Sequence, residues 1–105
     1  MTLPYRLHPL AEDDLVAAWS WYEEQVPGLG DQFLDVVQLT IKSAADWPNS
    51  GAPVVYDATG KVIERKVATS GFPYTARYRV IGDVVVVLAV HHQRRHPDAG
   101  ADRQP

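Results

Sequence analysis

Three features predict an α+β fold in the order strand, helix hairpin, three-stranded antiparallel meander. Two stretches carry apolar residues at helical spacing, and a Pro27-Gly28 break separates them. Two later runs alternate in character around Gly82-Asp83, a two-residue hairpin turn. A short alternating run, Leu3, Tyr5 and Leu7, opens the chain as a first strand. The prediction places the helices on one face of the sheet.

Each element has its own local cause. Pro9 suits the first turn of a helix, where its missing N–H costs nothing. Glu12, Asp13 and Asp14 follow at the positive end of the helix dipole. Ala11, Leu15, Ala18, Tyr22 and Val26 form one apolar stripe, with Trp19 alongside. The second helix is expected over residues 29–47. Leu29, Phe33, Val37, Thr40, Ile41, Ala44 and Trp47 lie on its apolar arc, and Pro48-Asn49-Ser50-Gly51 ends it. Residues 52–61 read as a loop, because Pro53, Asp57 and Gly60 punctuate them. Strands are then expected over 62–67, 74–81 and 84–92.

The turn at Gly82-Asp83 sets an expected register of Ile81 opposite Val84, Arg79 opposite Val86 and Arg77 opposite Leu88. Period-2 alternation then puts Arg77, Arg79 and His92 on one face, away from the helices. That face is expected to be partly open. The last strand is apolar on both sides and belongs in the sheet interior.

Composition bounds the function. With 105 residues, the chain suits one domain, read as residues 1–97 with a flexible tail over 98–105. Hydrophobic content of 46% is that of a folded chain. No apolar run approaches a membrane span, and no secretion signal is expected at the start. The absence of cysteine excludes disulfides, thiolate metal sites and cysteine nucleophiles, and fits the cytoplasm. The net charge of -3 conceals an asymmetry. Residues 1–60 hold two bases and nine acids, giving -7, while residues 61–105 hold eight bases and four acids, giving +4. The basic half suits a nucleic acid or acidic protein surface; equally, it can neutralise the acidic half internally.

Candidate site residues lie mainly in that basic half. Arg77, Arg79 and His92 share a predicted face, with Arg94 and Arg95 just beyond it. A histidine beside arginines is favoured in its neutral form, which suits a general base. In a second reading the arginines pair with carboxylates and His92 bonds locally. In a third, the face binds protein or nucleic acid, since the guanidinium fork holds carboxylates and phosphates. Arg65 shares its strand face with Ile63 and Val67, as a buried ion pair or a target contact. His91 and His92 point to opposite faces, so with His96 they do not make a metal site. Leu10, Trp21 and Leu39 fall off the apolar stripes and are candidates for a partner surface.

Three segments carry a family likeness. Residues 22–34, Tyr22 to Leu34, form the first. The second is Phe72-Pro73-Tyr74 followed by Tyr78-Arg79-Val80. The third runs from Val87 to Pro97 and includes His91-His92-Gln93-Arg94-Arg95-His96. In that order and spacing the chain resembles the RelE/ParE superfamily of bacterial toxins. The resemblance implies the toxin half of a type II toxin–antitoxin pair, neutralised by a cognate antitoxin in a hetero-oligomer, and no cofactor. It also implies a target. RelE-like members cut messenger RNA on the ribosome without metal, and ParE-like members poison DNA gyrase. Family nucleases often carry an arginine where this chain has Thr75, another near Gln93, and an aromatic residue in the tail. All three are missing here, and the acidic balance departs from that of a ribosome binder. The resemblance therefore leans toward ParE, with a RelE-type endoribonuclease and a non-catalytic binding module as alternatives.

Overall fold

The computed structural model describes residues 2–94 and 100–105. Its elements are β1 (Tyr5–Leu7), α1 (Pro9–Gln25), α2 (Leu29–Asp46), β2 (Ala52–Tyr56), β3 (Val62–Ala68), β4 (Tyr74–Ile81) and β5 (Val84–His92). The five strands form one sheet in the order β1-β5-β4-β3-β2. β1 runs parallel to β5, and the other pairs are antiparallel. The α+β class and the helix hairpin on one sheet face agree with the sequence reading. One difference lies at residues 52–56, expected as loop. They form an edge strand, irregular enough to shift register between Pro53 and Val55 and again before Tyr56. Pro53 is tolerated there because an edge strand has one side without ladder bonds.

The hairpin is fastened by a residue from its own first helix. Gly28 takes the left-handed conformation at the start of α2 and has no side chain to cap it. Glu23 supplies the missing acceptor: its carboxylate accepts from the Gly28 N–H at 3.0 Å and the Asp31 N–H at 3.3 Å. Gly30 lets the helices approach closely. A Cβ there would sit 2.7 Å from the Trp19 carbonyl oxygen. Trp19 lies against Gly30, is 36% exposed, and donates its indole N–H to Asp31 at 2.9 Å. Trp47, placed on the apolar arc by periodicity, is exposed as well, because α2 ends one residue earlier and the chain turns extended.

Ala11, Ala18 and Tyr22 of α1, with Phe33, Val37, Ile41, Ala44 and Ala45 of α2, pack on Ala76, Tyr78, Val85, Val87 and Val90. The aromatic part of this core joins Tyr22, Phe33, Phe72 and Tyr74, with ring centroids 4.9–6.1 Å apart. Tyr78 closes the other end. Its hydroxyl donates to the Pro48 carbonyl at 2.8 Å and accepts from the Gly51 N–H at 3.2 Å, tying the loop after α2 to the sheet.

β5 contains an extra residue. Arg79 faces Val86 and Ile81 faces Val84 as expected, but Arg77 faces Ala89 instead of Leu88. Leu88 is thus a β-bulge, and alternation inverts beyond it. Val90 joins the core, and Ala89 moves to the far face. Toward the chain end, Arg103 pairs with Asp14 of α1 at 2.6 Å and donates to the Leu88 carbonyl at 2.8 Å.

Substituting Gly30→Ala should lower the unfolding free energy by about 1–3 kcal/mol, since the new methyl meets the Trp19 carbonyl oxygen as well as the Trp19 and Glu23 side chains, and the backbone atom cannot swing away. Urea unfolding followed by tryptophan fluorescence measures this loss.

Candidate functional site

Among the described residues, the bases of residues 61–105 are dispersed over the fold rather than gathered on one face. Arg77 and Arg79 occupy the sheet face opposite the helices, but a buried carboxylate holds them both. Glu64 is 1% exposed and Arg77 2% exposed. The Arg77 Nε donates to Glu64 Oε2 at 2.6 Å, and the Arg79 Nε donates to Glu64 Oε1 at 2.9 Å. Arg79 remains partly open to solvent. A carboxylate with both oxygens engaged by guanidinium groups satisfies its charge without water. The face expected to be partly open is closed around this pair: Val86, Leu88 and Ala89 are buried, and Gly100 lies against Ala89.

His92 does not join the arginines. The bulge at Leu88 turns it onto the helix side, opposite Tyr74. Its ring meets the Tyr74 ring edge-on at 5.3 Å, and its Nδ1 accepts from the Arg94 N–H at 3.0 Å. The general-base arrangement expected from strand alternation is therefore not formed. His91 takes the other face instead, opposite Thr75.

Arg65 stands on the helix side, opposite Tyr78. It donates to the Gly51 carbonyl at 2.8 Å, so it is a tie to the loop after α2. Burial raises the Tyr78 hydroxyl above the ordinary tyrosine range, against the opposing pull of the Gly51 hydrogen bond and the nearby Arg65 charge. Arg94 is exposed beyond the end of β5, and Arg95 lies outside the described residues.

The partner candidates fare unequally. Trp21 is 54% exposed and packs edge-on against Tyr22 at 5.1 Å, so it caps the aromatic core from outside. It borders a pocket of about 300 Å³ with Asp13, Asp14, Tyr74 and His92. The fold thus brings together Trp21 and His92, which sequence reasoning had assigned to different surfaces. Leu10 is exposed on the same side of α1, three helical turns earlier. Leu39 is exposed on α2, turned away from the buried Val37 and Ile41, and stands apart from the other two.

Two residues were missed. Asp14 resembled an ordinary helix-start acid, yet it accepts from the Val90 N–H at 3.0 Å and pairs with Arg103. That pairing, led by the hydrogen bond Arg103 donates to Asp14, raises Arg103 above its ordinary range. Glu64 had a usable signal. It is the one acid among five bases in residues 61–82, a pattern that asks which cations it neutralises.

The family described as ParE toxin of type II toxin–antitoxin system, parDE, matches residues 5–97. The chain belongs to the ParE toxin family. Toxin ParE2 of Mycobacterium tuberculosis, in strains CDC 1551 / Oshkosh and ATCC 25618 / H37Rv, is 32% identical over 103 residues. The alignment covers 94% of this chain and 90% of that toxin. In fold, a solved chain of the chromosomal ParDE system from P. aeruginosa superposes with a TM-score of 0.70 at 20% identity. It covers 87% of this chain and 96% of its own length. The ParE match agrees with the lean taken from Thr75 and Gln93. No helix is long and apolar enough to cross a membrane among the described residues.

Glu64→Gln should destabilise the fold by about 3–5 kcal/mol, because it leaves buried guanidinium charge uncompensated. Arg94→Ala, at an exposed position, should change stability by less than about 0.5 kcal/mol. Parallel urea titrations of the two variants check both values.

Proposed function

We propose that this ParE-family toxin arrests growth by inhibiting DNA gyrase in the cytoplasm and is silenced by a cognate antitoxin. The observation that carries the non-nuclease part is the capture of Arg77 and Arg79 by Glu64. Cleavage of RNA without metal needs cations at the developing phosphate charge and a base near the 2′-OH. Here the two best-placed cations are held by a protein carboxylate, and His92 stands on the opposite sheet face. Thr75, where nucleases of the superfamily often have arginine, supplies no cation. Family membership supports gyrase as the target, and the toxin–antitoxin description of the family supports an antitoxin partner.

In this reading Arg94 and Arg95 are candidate target contacts, and Trp21 with Leu10 is an anchor for the antitoxin. Leu39 would serve a separate part of the same partner. An exposed tryptophan backed by a rigid aromatic core is the kind of side chain that dominates protein interfaces.

The test induces the protein without antitoxin and measures viability, transcript integrity and gyrase supercoiling together. Loss of viability with inhibited supercoiling and intact transcripts is expected. Ribosome-dependent transcript cleavage overturns the gyrase reading in favour of the RelE-type nuclease. Unchanged growth at confirmed expression leaves a non-catalytic binding module. A second experiment measures antitoxin affinity for Trp21→Ala, where a loss of at least about tenfold is expected, roughly 1.4 kcal/mol, with the free toxin still folded. Unchanged affinity removes Trp21 from the interface.

A further inference from the structure

β5 holds the longest apolar run in the chain. Val84 to Val90 are seven consecutive apolar residues with no charge, proline or glycine among them. Segments of this composition pair with copies of themselves wherever a strand edge is open. One side of β5 is paired with β4. The other side is covered in two ways. β1 covers the first half: Tyr5 to Leu7 lie along Val85 to Val87, and the His8 N–H donates to the Val87 carbonyl at 2.8 Å. β1 then ends and the chain turns into α1. Among the described residues, no strand runs along residues 88–92 on that side.

Side chains cover this second half. The Leu88 carbonyl accepts from Arg103 Nη1 at 2.8 Å, and the Val90 N–H donates to Asp14 Oδ2 at 3.0 Å. The same two side chains hold each other by two bonds, Nη1 to Oδ2 at 2.6 Å and Nη2 to Oδ1 at 3.1 Å. One ion pair thus provides the donor and the acceptor that a further strand would have provided. Leu88 and Val90 are buried beneath it. The edge itself continues past this cover. Gln93 donates to Pro73 on the β4 side, so alternation turns the His92 N–H outward, as it does that of Val90. A pocket of about 300 Å³ between α1 and this stretch, lined by Ala17, Trp21, Val90 and His92, leaves room for chain beside it.

We propose that the Asp14–Arg103 pair is a latch over a self-pairing edge, and that its release lets β5 join the β5 of a second copy. The two edges meet antiparallel about a two-fold axis at Val90. Each Val90 N–H then donates to the other copy's Val90 carbonyl, and each His92 N–H to the other copy's Leu88 carbonyl, in place of Asp14 and Arg103. A second copy is the occupant because this edge complements itself: outward donors and acceptors alternate along it, and the run is apolar throughout. The latch is the weaker of the two covers. It is one partly exposed ion pair, whereas β1 is held by main-chain bonds. The inference stands whatever the toxin's cellular target is.

Sedimentation velocity over a range of concentrations compares the parent chain, Arg103→Gln and Arg103→Gln/His92→Pro, with circular dichroism to establish that each is folded. Arg103→Gln is expected to dimerise at least about tenfold more tightly than the parent, with slowed amide exchange at His92 in the dimer. Adding His92→Pro, which removes the outward N–H at an edge position that tolerates proline, should return the monomer. Arg103→Lys keeps the charge but not the two-pronged geometry, so it should associate more than the parent and less than Arg103→Gln. The same reading is taken from it if Arg103→Gln does not fold. A folded variant that sediments as the parent does overturns the proposal. So does association that leaves His92 exchange unslowed, or that His92→Pro does not reduce.

Discussion

One extra residue in β5 decides what each side of this molecule is. With Leu88 bulged out of the ladder, every residue after it changes faces. Val90 enters the core, Ala89 leaves it, and His92 arrives beside Tyr74 and Trp21. Without the bulge, a histidine would stand over two arginines, with the raw materials of acid–base chemistry on one surface. With it, the arginines are left to Glu64, and the histidine becomes part of an aromatic pocket. A local change in backbone count thus separates groups that side-chain chemistry alone would have grouped together.

The Glu64 cluster is set by the pairing of β3 with β4, which puts Glu64, Arg77 and Arg79 on one sheet face. Arg77 and Glu64 are buried deeply enough that neither tolerates the loss of the other, while Arg79 completes the carboxylate's bonding from a partly solvated position. The arrangement neutralises a sheet face that the charge count had marked as a basic surface. The +4 of residues 61–105 is therefore partly internal, and the charge that reaches solvent is smaller and differently placed. This is how an acidic helical half and a basic strand half coexist: some of the compensation occurs inside the strand half itself.

Much of the fold was legible because its causes are local. Pro9, the Pro27-Gly28 break, helical spacing in both helices and the Gly82-Asp83 turn each act within a few residues. The errors share an opposite origin. The strand Ala52–Tyr56 carries turn-forming residues and exists only because β3 offers it an edge. The face of His92 depended on a bulge that alternation has no means to signal. Trp19, beside the apolar stripe of α1, packs over Gly30 at the edge of the core and bonds Asp31, a contact between helices that periodicity does not signal. The pairing of Arg103 with Asp14 was not legible because the two are 89 positions apart. Within the candidate site, residue types were recognised, whereas their grouping was settled by long-range register.

The attachment of the two chain ends has a mechanical consequence. β1 pairs with Tyr5 to Leu7 along Val85 to Val87, His8 donates to the Val87 carbonyl, and Arg103 takes the next carbonyl on the same strand. Near both ends, the polypeptide is thus fastened to successive positions along one edge of β5. Tension applied between the ends loads that edge before it reaches the helices. Main-chain bonds resist at one end of the line, and a single arginine, braced by Asp14, resists at the other. The weaker anchorage is a side chain, so the C-terminal segment peels away first and the sheet is left intact.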